Sequence, residues 1–195
     1  MSRSFRTQKE AIIARRHIVR VGNGAPLVPR IIERAPAPGD IHPVPKRNMR
    51  FFLERVPVDY LYGLRRIELR ARAHGRSLGN PFGHYLGDER AIYLYSLPPV
   101  WICEGLDEGF RRSLQKFRAS IEMRSEGFVI SWPKRARLAL WFFSYVIAHE
   151  LGHHFAEQYK FKNRRNPTSA IEEAFADLHS RRVTDAFFEK MWAER

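Results

Sequence analysis

A chain of 195 residues, 44% hydrophobic and 13% aromatic, is long enough to bury one substantial core. Its 34 Lys and Arg against 21 Asp and Glu give a formal charge of +13, which favours polyanionic partners without naming one. The single Cys103 excludes an intramolecular disulfide and any cysteine-rich zinc finger, so a metal would need imidazole and carboxylate ligands, and a reducing, cytoplasmic setting is expected.

In chain order, residues 5–20 predict one short basic helix with few large apolar side chains to bury. Residues 22–48 are dense in Pro and Gly and exclude a regular helix or a central strand. Residues 1–48 are therefore expected to form a basic, Pro-rich arm, loosely ordered or draped over a domain spanning 49–195. That domain opens on Met49, Phe51, Phe52, Leu53, Val56, Val58, Tyr60 and Leu61.

Arg66 to Arg70 alternates apolar and charged residues, and Ala91 to Tyr95 is β-rich after the turn-like Gly87-Asp88-Glu89, which predicts two strands of one sheet. Gly127 to Trp132 predicts a third short strand, and residues 109–124 between them predict a helix. From Pro133 to about Tyr159 an almost glycine-free stretch predicts a long helix, and a second follows from Ala170. The apolar run Leu138 to Ala148 is shorter than the roughly 20 residues a bilayer crossing needs, so no membrane partner is expected.

The first of these helices carries His149-Glu150-Leu151-Gly152-His153. Residues four apart share one helix face, so both imidazoles can converge on one ion while Glu150 points to its flank. The apolar residues before the motif predict that it is buried, and two core histidines beside a buried glutamate would be costly without a metal. A third ligand is required. Position 159 is Tyr, not the histidine of the extended HExxHxxGxxH pattern, whereas Glu172 and Glu173 downstream offer two carboxylates. Ser169 and Glu172 have capping-box spacing, which gives Glu172 a structural role and favours Glu173 as ligand. Glu173 shares a face with Ala176 and Asp177, and the small Ala176 lets the two helices approach closely. Asp177 is placed to accept the second ring N–H of a ligand histidine. His154 falls about 100° around the helix from His153 and is expected to face solvent or pack. With Tyr159 and His179 also weighed, no oxyanion donor is assigned.

With HELGH at 149–153 and ExxAD at 173–177, the chain resembles the gluzincin metallopeptidases, most closely the ImmA/IrrE-type intracellular regulatory peptidases. The resemblance implies an α+β, zincin-like single domain, with a small mixed sheet packed on the HExxH helix and on the following ligand-bearing helix. It also implies one zinc ion held by His149, His153 and Glu173, with Glu150 as general base, Asp177 behind a ligand, and a protein or peptide as substrate. A strand such as 91–95 or 128–132 is expected to line the cleft. The rival expectation is a zinc-stabilised basic protein that binds nucleic acid or another polyanion, which rests on the +13 charge and the basic arm alone.

Overall fold

The computed structural model describes residues 28–72, 82–159 and 169–194, with the side chains of Tyr159 and Ser169 left out. The basic helix expected at 5–20 lies outside the described residues, as do residues 160–168. Within these limits the chain is a small mixed α+β unit with two sheets.

Strands β1 (Arg30–Glu33), β2 (Arg66–Arg70), β3 (Gly83–Leu86) and β4 (Ala91–Tyr95) form a sheet of order β1-β2-β4-β3. β1, β2 and β4 run parallel, and β3 returns antiparallel to β4 as an edge strand. The two strands expected at 66–70 and 91–95 are direct neighbours, in register Ile67 to Ile92 and Leu69 to Leu94. Strand alternation places these four residues on one buried face. They share one core cluster with Ile31, with Met49, Phe52 and Leu53 of α1 (Lys46–Leu53), and with residues of the C-terminal helices. Phe52 stacks on Phe143 at 4.6 Å between ring centroids and meets Phe187 at 5.1 Å.

The other face of β2 is polar, and its Glu68 is buried under arginines. Arg70 Nε lies 3.0 Å and Arg34 Nε 2.5 Å from the carboxylate, and the Arg70 bond first, then that of Arg34, holds its pKa below the usual range against the opposing effect of burial.

Residues 28–48 correct the expected arm. β1 pairs with β2 as the other edge strand, and Ile31 and Val44 are buried. Ile41 bridges to Leu97, while Asp40 accepts from Ser96 and pairs with Arg72. The folded unit therefore begins before Met49. Proline density excludes a central strand, but an edge strand needs partners on one side only, and the Arg30–Glu33 stretch is itself free of Pro and Gly.

The second sheet, order β5-β7-β6, joins β5 (Val100–Cys103), β6 (Ser120–Arg124) and β7 (Gly127–Ser131) in antiparallel pairs. The strand expected at 127–132 is thus present, in a sheet of its own. The helix expected over 109–124 is half right: α2 (Glu108–Lys116) starts on Asp107, whose side chain accepts from the Phe110 N–H. It stops where Arg118 takes a left-handed φ of 58°, and the chain leaves as β6.

The long helix expected after Pro133 is continuous but changes winding. It runs as α3 (Arg135–Phe142), a π-helical turn (Phe143–Ile147) and α4 (Ala148–Tyr159). The Ser144 carbonyl within the wider turn accepts from the hydroxyls of Ser180 at 3.0 Å and Thr184 at 3.4 Å. Both belong to α5 (Ser169–Ala193), so the π turn fixes the docking of the second helix directly before the HExxH segment.

Candidate metal centre

α4 and α5 lie side by side, and their closest approach explains the glycine within HELGH. A Cβ on Gly152 would stand 2.5 Å from the Ala176 carbonyl oxygen and 2.8 Å from its Cα. Only hydrogen at position 152 and a fully buried alanine at 176 permit this spacing, as the small residue at 176 suggests in the sequence. The contact sits between His149 and His153 on one helix and beside Glu173 and Asp177 on the other.

The two imidazoles and the Glu173 carboxylate converge. Each offers one ligand atom, and all lie within 4.8 Å of one another. His149 Nε2 is 3.0 Å from His153 Nε2 and 3.1 Å from Glu173 Oε2, and His153 Nε2 is 3.5 Å from Glu173 Oε1. A tetrahedral ion with bonds near 2.0–2.2 Å places its donors about 3.3–3.6 Å apart, so one separation matches that spacing and the other two are shorter by a few tenths of an ångström. The His149 Nδ1 lies 2.9 Å from Asp177 Oδ1. A carboxylate only accepts, so with an ion at Nε2 the ring proton would sit on Nδ1 and be donated to Asp177. The donor chemistry and its spacing fit a divalent metal.

Burial is uneven across the group. The side chains of His149 and His153 are about one fifth exposed and Glu173 more than half, so the three candidate ligands line an open cleft rather than a sealed core as expected. Glu150 is the buried member. Burial pushes its carboxyl up to about 7, opposed by the neighbouring His149. Burial and the neighbouring His149 lower the His153 pKa, which keeps that ring neutral and available as a ligand.

The cleft, of about 590 Å³, is lined by His149, Glu150, His153 and Glu173 on the helices and by Gly83, His84 and Tyr85 of β3. The expected lining strand is therefore corrected. β4 and β7 each have a neighbour on both sides, so neither 91–95 nor 127–131 presents a free edge, whereas β3 does. Sequence reading missed β3 because it spans four residues between Pro81 and Gly87. The signal that could have found it is a β-rich His84-Tyr85-Leu86 running into the Gly87-Asp88-Glu89 turn already assigned to precede β4.

The remaining candidates separate from the metal group. Glu172 lines the same cleft, but its carboxylate is not among the converging donors. The capping box that would occupy it involves the Ser169 side chain, which lies outside the described residues. His154 does diverge from His153, but it is fully buried, with its ring nitrogens 3.1 Å from the Tyr85 hydroxyl and 2.9 Å from the Tyr62 carbonyl. His179 is buried between Phe155 and Phe175, with Nδ1 2.8 Å from the Tyr60 hydroxyl. The Tyr159 side chain lies outside the described residues.

No protein-family model matches the chain, and neither a curated protein nor a solved structure matches it. Among the described residues no helix is long and apolar enough to cross a membrane.

Proposed function

We propose that this protein is a zinc-dependent metallopeptidase of the gluzincin type, with a zincin-like fold. His149, His153 and Glu173 would hold the ion, Glu150 would act as general base, and Asp177 would orient His149. The observation that carries the reading is the convergence of the three donors within 4.8 Å, at the mouth of a cleft whose wall holds a buried glutamate and a free strand edge.

Zinc, when bound, supplies a Lewis acid that activates water at neutral pH and polarises a carbonyl. The protein's own part follows from its geometry. Glu150 follows His149 directly, so its carboxylate lies on the flank of the ligand face, where it can take a proton from the attacking water and return it to the leaving amine. The Asp177 carboxylate, 2.9 Å from Nδ1, would hold His149 in the tautomer that can ligate. β3 pairs only with β4, so its outer edge can take an extended peptide by strand addition.

A mixed peptide library incubated with zinc-loaded protein, read by mass spectrometry, tests the reading. Wild type is expected to cut and Glu150→Gln to retain zinc without cutting. Equal activity in both, or zinc-independent cutting, would refute it.

A further inference from the structure

The face of the four-stranded sheet that turns away from the helices concentrates positive charge. Arg30 of β1, Arg34 just beyond it, and Arg66 and Arg70 of β2 alternate with the core residues of their strands and so project from the opposite side. Arg30 stands directly across from Arg66 in the parallel register. Like charges facing each other across two strands cost stability, so this pair does not hold the sheet together. The carboxylates that meet these four arginines, among the described residues, are those of Glu68 and Glu89. Positive charge is left over.

Glu68 organises this excess rather than cancelling it. It is buried, and Arg34, Arg66 and Arg70 all approach it through Nε, at 2.5, 3.7 and 3.0 Å. An arginine that bonds through Nε keeps terminal nitrogens for another acceptor. Arg66 spends one of its own on Glu89 and on the Tyr93 hydroxyl, whereas Arg34 and Arg70 find no further acceptor among the described residues. Both bond the same oxygen of Glu68, so the two guanidinium groups are neighbours and one phosphate can accept from both. Their side chains are 65% and 38% exposed, open to such a ligand. Rings lie beside them. Arg70 is held over Tyr93, with Cζ 3.7 Å from the ring centroid. The rings of Tyr95 and His84 lie 25° from parallel and are tied by a 3.1 Å hydrogen bond between the Tyr95 hydroxyl and His84 Nδ1.

We propose that this sheet face binds single-stranded nucleic acid, with Arg30, Arg34 and Arg70 on the phosphates and Tyr95 against a base. Held cations beside held ring planes suit a chain that offers phosphates and unstacked bases together. A duplex keeps its base faces hidden, and an acidic peptide would meet the same charge but leave the rings unused. The arginines are ordered in advance by Glu68 and Tyr93, which lowers the entropy lost on binding. The site uses neither the metal ligands nor Glu150, so it stands whether or not the metallopeptidase reading does.

The test is fluorescence anisotropy of a labelled, mixed-sequence single strand of about 20 nucleotides, titrated with the full chain at several salt concentrations. Arg30→Gln/Arg34→Gln is expected to weaken binding about tenfold or more, and to flatten the slope of log affinity against log salt by about 1.4, the share of two phosphate contacts. Arg111→Gln/Arg112→Gln removes the same charge from the exposed side of α2 and is expected to stay within about twofold of wild type. Tyr95→Leu is expected to weaken binding about fivefold or more, and a duplex of the same sequence to bind less tightly than the single strand. Equal losses in the two arginine pairs would assign binding to bulk charge and overturn the proposal. Unchanged binding in Tyr95→Leu, or polyglutamate competing as well as unlabelled oligonucleotide, would overturn it too. If Arg30→Gln/Arg34→Gln fails to fold, ultraviolet crosslinking of wild type to the same strand decides. Crosslinked peptides carrying Tyr93 or Tyr95 support the site; crosslinks confined to other peptides, or no binding by wild type, overturn it.

Discussion

Replacing Gly152 with alanine is expected to destabilise the protein and weaken its metal site, although helix propensity argues for the opposite sign. In an exposed helix interior the change would stabilise by about 1 kcal/mol. Here the new methyl would stand 2.5 Å from a backbone oxygen and 2.8 Å from Cα of Ala176, and backbone cannot rotate away as a side chain could. Restoring even a 3.0 Å contact requires α4 and α5 to part by about 0.5 Å. Overpacking of this kind costs about 1–3 kcal/mol. The net loss is then up to about 2 kcal/mol, or up to roughly 8 °C in melting temperature for a chain of this size. The same half-ångström separates Glu173 from the histidine pair, whereas metal–ligand distances tolerate about 0.2 Å. Zinc affinity is therefore expected to fall by at least about tenfold. Calorimetric melting and competitive zinc titration measure the two effects. An alanine variant that melts at or above wild type with unchanged zinc affinity would refute the account of why the two helices sit where they do.

Three further outcomes follow from the same geometry. Asp177→Ala removes the acceptor that fixes the His149 tautomer, and is expected to weaken zinc binding about 10–100-fold in a chelator competition without unfolding the chain. In metal-free protein the Glu150 carboxyl, raised from 4.5 to about 7 by burial, gives the folded state a proton that the unfolded state releases; the stability it provides is present below about pH 4.5 and is lost as pH rises towards 7. The difference in urea stability between wild type and Glu150→Gln is expected to change by up to about 3 kcal/mol across that interval, and a flat difference would contradict the assigned burial. Glu68 behaves with the opposite sign, because its depressed pKa stabilises the protein above the unfolded value and that gain is lost as pH falls through the folded one. Glu68→Gln is expected to cost about 2 kcal/mol at neutral pH, after allowance for the solvent exposure of its arginine partners, with the loss vanishing in acid.

The parts of the site most legible in the sequence are those governed by a single helix. His149, Glu150 and His153 were readable because a spacing of four residues means one face. Glu173 and Asp177 were readable because the next helix carries them at the same spacing. In the sequence a cap at Ser169 favours Glu173 over Glu172; the distances favour it on other grounds, since among the described residues only the Glu173 carboxylate converges with the imidazoles. What escaped the sequence depends on neighbours distant in the chain. β1 is hidden among prolines, and it is a strand because β2 offers an edge 36 residues downstream, Arg30 to Arg66. β3 is too short to show a period. β6 reads as helix in RSLQKFRASIEMR until the left-handed Arg118 divides it, a conformation that arginine does not announce. His154 was placed on the correct side of its helix, but its partners Tyr62 and Tyr85 come from other parts of the fold, and no local rule could supply them.

The central claim is the metal. Protein purified without added zinc or chelator, then analysed by elemental mass spectrometry and by X-ray absorption at the zinc edge, tests it most directly. The account predicts close to one zinc per chain, a first shell of two imidazole nitrogens with oxygen, and loss of the ion in His149→Ala and Glu173→Ala. Zinc far below one equivalent after reconstitution, or zinc retained in both variants, would contradict it.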